Sequence, residues 1–508
     1  MKYNQRKAGA ALSYISMMLG YIISLAYTPF MIRLLGQSDY GLYNLVASVV
    51  AYLGVLNFGF GSAYMRYYIR LKEADDRENI AKLNGMFLTI FSLIALFAVS
   101  AGVVLSFHAE TVFGSKLTAG ELERAKILML ILSFNMAFSF PASVFTSHIT
   151  ANERFVFQRI VQMIKLVTNP FLVLPALLLG YGSVGMALVT TSINLGVEIA
   201  HMVYCRRKLR MRFILRGFDR RLMGEVTAFS SYIFINILVN QVNWNVDKFI
   251  LGRYHGTATV AVYGLAAQLN TYYMGISTTI SNVFIPRVHK IVAAGDDAKS
   301  LTSLFTRIGR LQFFILSLIA SGLVFFGRPF FSLWAGPGYA DSYPIALLLI
   351  LPVTIPLIQN IGIEIQAAKN MHRFRSIAYL LIAVFNVSLT LVLARRYFGA
   401  GAAMGTAVAL LLGNGLAMNW YYHKKVGIDI IHFWKEIARI LPAFLPPVAL
   451  GVLVSLYGGL YRPLNFLLWG LLYILVFCAC MWRWGMNRYE KDLFVKPFRR
   501  IVKRVRGS

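Results

Sequence analysis

Asn236, Asn240, Asn243 and Asp247 stand four, three and four residues apart, so on a helix they form one polar stripe, flanked by Gln241 and Trp244. A row of amides offers paired donors and acceptors to a hydroxyl-rich ligand such as a sugar or a lipid headgroup. Gln268 and Asn270 in the next apolar run add to this set, as does Asn57 just ahead of Gly59, Phe60 and Gly61. Amides inside apolar helices also join helices by hydrogen bonds, and both readings stand at this point.

Charged residues in the same runs offer different chemistry. Glu198 and Glu364 lie late in the sixth and tenth apolar runs, and Asp247 sits beside Lys248. A carboxylate at membrane depth is costly to keep charged, which suits proton or cation exchange. The plainer accounts are headgroup-level placement for the two glutamates and a local charge pair for Asp247. Arg66 and Arg287 close the second and eighth runs, and a guanidinium binds phosphate through two parallel hydrogen bonds. Arginines that merely set topology occupy the same positions.

These residues need elements to hold them, and composition says which. The chain has 508 residues, 58% hydrophobic and 14% charged, against roughly 25% charged in soluble proteins. Spanning a bilayer takes about 20 mostly apolar residues. About fourteen such windows follow one another, and the thirteenth is interrupted by Pro442, Pro446 and Pro447. The expected fold is an all-α polytopic membrane protein. About four-fifths of the lysines and arginines fall in alternate loops, which predicts cytoplasmic N- and C-termini in an inner or plasma membrane. The densest such loop runs from Arg206 to Arg221, between the sixth and seventh windows. From Phe494 the tail alternates basic and apolar residues, as an interfacial helix or a solvated tail would.

The chain also matches itself weakly at a shift of about 216 residues. Leu35 and Gly36 align with Leu251 and Gly252, and Gly185, Ala187 and Thr190 with Gly401, Ala403 and Thr406. Six spans per copy keep the orientation, which predicts two parallel-repeat six-helix bundles, 1–224 and 225–425, followed by two further helices and a basic tail in 426–508.

The net charge of +29 would suit nucleic acid, but its confinement to loops beside apolar runs argues against that partner. No phosphate-binding loop, zinc motif or long soluble loop is present, and Cys205, Cys478 and Cys480 lack metal-ligand spacing, so neither an enzyme nor a metal or cofactor is expected.

The run from Tyr27 to Gly36, with Asp39 to Tyr43, resembles the polysaccharide flippase family. Leu56 to Ala63, Arg66 to Tyr68, Asp247 to Gly252 and Val262 to Gly264 resemble it too. The family sits in the superfamily of multidrug, oligosaccharidyl-lipid and polysaccharide exporters. The resemblance implies alternating access and a polyprenyl-pyrophosphate-linked oligosaccharide as substrate, but transfers no substrate-binding residue. From the residues themselves the expectation is phosphate held by groups such as Arg66 and sugar by the Asn240, Asn243, Gln268 and Asn270 neighbourhood. The resemblance also implies membrane lipids as partners, and glycosyltransferases and a polymerase of the same pathway. Alternatives are a cation-coupled multidrug exporter, a cell-wall lipid precursor flippase, and a non-transporting scaffold or enzyme of glycan assembly.

Overall fold

The structure, a computed structural model, describes residues 5–217, 220–295, 297–369, 371–493 and 495. The side chains of Asn236, Arg220 and Arg221, and the basic tail from Lys496 onward, lie outside the described residues. The described residues are helical almost throughout and contain no strand. In chain order the helices are α1 (Gln5–Val50), α2 (Phe60–Glu73), α3 (Arg77–Phe107), α4 (Ala109–Phe113), α5 (Ala119–Ala151), α6 (Phe155–Leu178), α7 (Gly182–Arg207), α8 (Arg220–His255) and α9 (Thr257–Asn282). Then come α10 (Ile285–Ala293), α11 (Ala298–Trp334), α12 (Ser342–Ile358), α13 (Ile361–Ala368), α14 (His372–Leu410), α15 (Asn419–Tyr421), α16 (Ile430–Ala438), α17 (Leu445–Tyr457) and α18 (Pro463–Cys480).

Among the described residues nine helical stretches are long and apolar enough to cross a membrane, or ten if the bent pair α12 and α13 counts as one. A bilayer core leaves no water for backbone groups, so helices satisfy them internally and the chain is a multi-pass membrane protein. Some stretches are broken by residues with non-helical backbone. α1 breaks at Gly36 (φ 74, ψ 168), a conformation open to glycine because it has no Cβ. A 3₁₀ segment, Ala51–Asn57, follows α1 and ends at the left-handed residues Phe58 and Gly59. α14 breaks at Tyr397 and Phe398.

The prolines of the thirteenth window do something other than kink a span. Pro446 and Pro447 open α17, where the missing N–H would have had no helical partner, and Pro442 falls in a 3₁₀ turn before it.

The chain forms two compact units. One comprises Met1–Gly264 and Val387–Ala402, the other Leu265–Asn386 and Ala403–Ser508. In the first, α5 packs along α3 and α7, and α6 along α1 and α7. Its core holds Phe60 edge-on to Phe87 and Phe91, 6.3 and 5.9 Å between ring centroids. Beside it the buried Tyr64 hydroxyl donates to Asn84 Oδ1 (2.6 Å) and meets His148 Nδ1 at 2.8 Å. Gly41 lets α1 touch the start of α9: a Cβ there would lie 1.9 Å from the Thr257 carbonyl oxygen.

In the second unit α11 is the central rod, flanked by α12, α16, α17 and α18. Arg310, only 5% exposed, is bound on every side. Its Nε donates to Glu490 Oε1 (2.6 Å), and Nη2 to Glu490 Oε2 (3.0 Å) and the Gly485 carbonyl (2.9 Å). Its Nη1 donates to the Glu436 carbonyl (2.7 Å) and to Glu436 Oε2 (3.4 Å). A buried charge is tolerated when paired and hydrogen-bonded like this.

Candidate functional site

The residues of the predicted stripe do not behave alike. In α8, Gln241 donates to the Ala51 carbonyl and accepts from Asn245 Nδ2 at 3.0 Å, which pins the helix to the 3₁₀ segment after α1. Phe234 stacks on Phe58 with centroids 4.7 Å apart, and a Cβ on Gly59 would strike Ile233 at 2.3 Å. This tight seam carries Asn57, half-buried at the end of the 3₁₀ segment. Further along α8, Asn240 is exposed and Asn243 half-buried. Asp247, 2% exposed, accepts from the Tyr263 hydroxyl on one carboxylate oxygen and from Thr390 Oγ1 (3.3 Å) on the other. The stripe thus divides into a packed part and an amide pair that is not packed away.

A cavity of about 320 Å³, apolar over most of its lining but with several polar side chains, lies within the first unit. Ala47 and Val50 of α1, Asn135 and Ser139 of α5, Lys165 of α6, and Asn194 and Glu198 of α7 line it. Asn194 Nδ2 donates to Asn135 Oδ1 (3.2 Å), and Glu198 Oε2 meets His201 Nδ1 at 3.2 Å. The Asn194 side-chain oxygen is buried with no hydrogen-bond partner among the described residues. Lys165 and Glu198 are near enough to feel each other's charge. A buried, unsatisfied acceptor beside a cation, an anion and an imidazole is a place where a polar ligand gains hydrogen bonds that the fold leaves open. Of this group only Glu198 stood out from the sequence. Yet Asn194, Glu198 and His201 recur four and three residues apart, the same signal that marked the α8 stripe.

Elsewhere in the first unit, Arg66 is exposed on α2, and the adjoining Tyr67 hydroxyl donates to Glu225 Oε2 at 3.4 Å. In the second unit, Gln268 donates to the Tyr272 hydroxyl at 2.5 Å. Asn270 is 2% exposed and its side-chain oxygen lacks a partner among the described residues. Glu364 is half-buried in the first turn of α13, and Arg287 is exposed on α10. Among the described residues no three His, Cys, Asp or Glu side chains come together as a metal site.

Residues 30–344 match the family model described as "Polysaccharide biosynthesis protein". The chain is 23% identical over 438 residues to an uncharacterized membrane protein, EpsK, of Bacillus subtilis, covering 84% of this chain and 85% of that one. It is 20% identical over 413 residues to a putative O-antigen transporter of Shigella flexneri, covering 80% and 95%. Among solved structures it is similar to the lipid II flippase MurJ in an inward closed conformation, with TM-score 0.71, 16% identity, and 96% and 99% coverage. It is also similar to an inward-facing multidrug resistance MATE family transporter, with TM-score 0.61, 13% identity, and 81% and 96% coverage. At these identities the two structures establish the fold that the chain shares with them.

Proposed function

Since the chain belongs to the polysaccharide biosynthesis protein family and is a membrane transporter of the flippase type rather than an enzyme, we propose that it moves a polyprenyl-pyrophosphate-linked oligosaccharide across the cytoplasmic membrane. In this reading the sugar is carried through a polar site that opens to one membrane face at a time, for assembly of a surface polysaccharide. The observation that carries it is the cavity inside the first unit where Asn135, Lys165, Asn194 and Glu198 meet, with the unsatisfied Asn194 oxygen. Hydrogen-bonding groups left open at membrane depth are what a hydrophilic headgroup needs to exchange for its water.

Asn57, Asn240 and Asn243 are assigned to sugar contact in the first unit, and Gln268 and Asn270 in the second, with Asn236 in the same stripe. Arg66 and Arg287 are assigned to the phosphates. Of the three candidate coupling carboxylates, Asp247, Glu198 and Glu364, Glu198 has the strongest support, because it lines a cavity beside Lys165. The repeat relating 1–224 to 225–425, the cytoplasmic termini and neighbouring glycosyltransferases and polymerase belong to the same proposal.

The test is reconstitution into liposomes holding a fluorescent lipid-linked oligosaccharide in the inner leaflet, with arrival outside read by a membrane-impermeant quencher. Protein-dependent arrival is expected, accelerated by an imposed proton or sodium gradient in wild type and not in Glu198→Gln. Arrival at the rate of protein-free liposomes would remove the transport reading. Gradient acceleration surviving in Glu198→Gln would remove the coupling assignment alone.

A further inference from the structure

The first two or three turns of α11 face α10 across an open cleft of about 900 Å³, wholly within the second unit. α10 is amphipathic: Val288 is fully buried while Arg287, His289 and Lys290 are exposed. Arg287, Lys290 and Ile291 recur three and one residues apart and so share a face of that helix, and it is this face that lines the cleft. From the other wall come Lys299, Ser303, Leu304 and Arg307, again at helical spacing. Four cations therefore meet in one concavity, and among the described residues none of those lining it is acidic. Asp297 is engaged as the cap of α11, accepting from the Lys299 and Ser300 backbone N–H groups and the Ser300 hydroxyl, while Asp429 and Glu436 line an adjoining cleft that Lys299, Ser303 and Arg307 also border. Arg307 is held at the rim by its guanidinium, 4.8 Å over the Tyr489 ring.

Four like charges lining one cleft with no carboxylate among its walls repel one another, so the arrangement favours an occupant that neutralises them. Two guanidiniums in one cleft suit an oxyanion with several oxygens, since each can donate two parallel hydrogen bonds. The apolar side chains of Ile291 and Leu304 in the same walls suit an anion that arrives on a hydrocarbon chain rather than a free one. We propose that the α10–α11 cleft is a binding site for the phosphate or diphosphate group of a membrane lipid, recognised by Arg287, Lys290, Lys299 and Arg307. The proposal rests on the flippase reading only in the choice of which lipid supplies the phosphate: the cargo's diphosphate or a bulk anionic phospholipid.

The experiment is equilibrium binding of radiolabelled farnesyl diphosphate to the full chain in phosphatidylcholine nanodiscs, with farnesol as the uncharged control and no transport involved. Wild type is expected to bind the diphosphate and not farnesol. Arg287→Gln/Lys290→Gln/Arg307→Gln is expected to weaken binding by about tenfold or more, since each charge-assisted hydrogen bond contributes more than a tenfold factor. The charge-matched control Arg77→Gln/Lys82→Gln/Lys116→Gln, in the first unit, is expected to bind as wild type. Wild-type affinity in a cleft variant with unaltered thermal unfolding overturns the proposal, and so does an equal loss in the control. Displacement of the probe by phosphatidylglycerol in the nanodisc supports the site with bulk lipid as its occupant; resistance to displacement supports it with the cargo diphosphate. Loss of this site with intact transport in liposomes would leave the transport reading standing and remove the assignment of Arg287 to the cargo's phosphates.

Discussion

Arg307 and Arg310 are one turn apart on α11, and their surroundings differ completely. Arg310 points into the second unit, where two glutamates and two carbonyls take up its donors. Arg307 points outward into a cleft with three other cations. The first arginine is part of the fold, because breaking a buried pair strands its partner without water. The second is held in place by a ring and retains its hydrogen-bonding capacity. Residue type and spacing are identical in kind, so what separates a structural from a binding arginine here is the side of the helix and what the other helices bring to it.

Removing Arg310 should have the largest effect. Arg310→Ala leaves Glu490, 1% exposed, without its cation, and should destabilise the protein by about 3–5 kcal/mol. Thermal unfolding in detergent checks this, and a midpoint near wild type would erase the contrast. Arg307→Gln should shift stability by no more than about 0.5 kcal/mol, as for surface substitutions generally. A loss approaching that of Arg310→Ala would show that the rim arginine is structural as well.

The smallest expected effect concerns the cap beside the cleft. The Asp297 carboxyl is held below the usual carboxylate range by the Ser300 hydroxyl first and the Lys299 backbone N–H next. A depressed pKa means that the cap's contribution is fully present above the usual carboxylate range and is lost as pH falls through the depressed value. The unfolding midpoints of wild type and Asp297→Asn should therefore differ at neutral pH and converge in acid. A gap independent of pH would mean that the carboxylate charge is not what caps α11.

The helical character of the chain was legible because a bilayer imposes it: runs of about 20 apolar residues have no other stable form. The ends of helices were less so. Hydropathy predicts a ninth span over Leu311–Gly327, whereas α11 runs from Ala298 to Trp334, because the backbone continues past the point where charges make the run look finished. The cleft stands on those extra turns and on α10, which the eighth predicted span, Thr257–Ile285, leaves out. The α8 stripe was legible as a helix face, but a face is only half of a site. Gln241 and Asp247 are met by hydrogen-bonding partners from other parts of the chain, while Asn194 meets a cavity, and no periodicity within one helix reports what another contributes.

α11 also has the proportions of a lever. Its 37 residues, at about 1.5 Å each, make a rod of about 55 Å. A tilt of about one degree around its middle swings each tip by about 0.5 Å, in opposite senses. Whatever grips Lys299 thus has mechanical purchase on Trp334 at the far tip, and a fluorophore placed there would register a pull at the cleft as displacement.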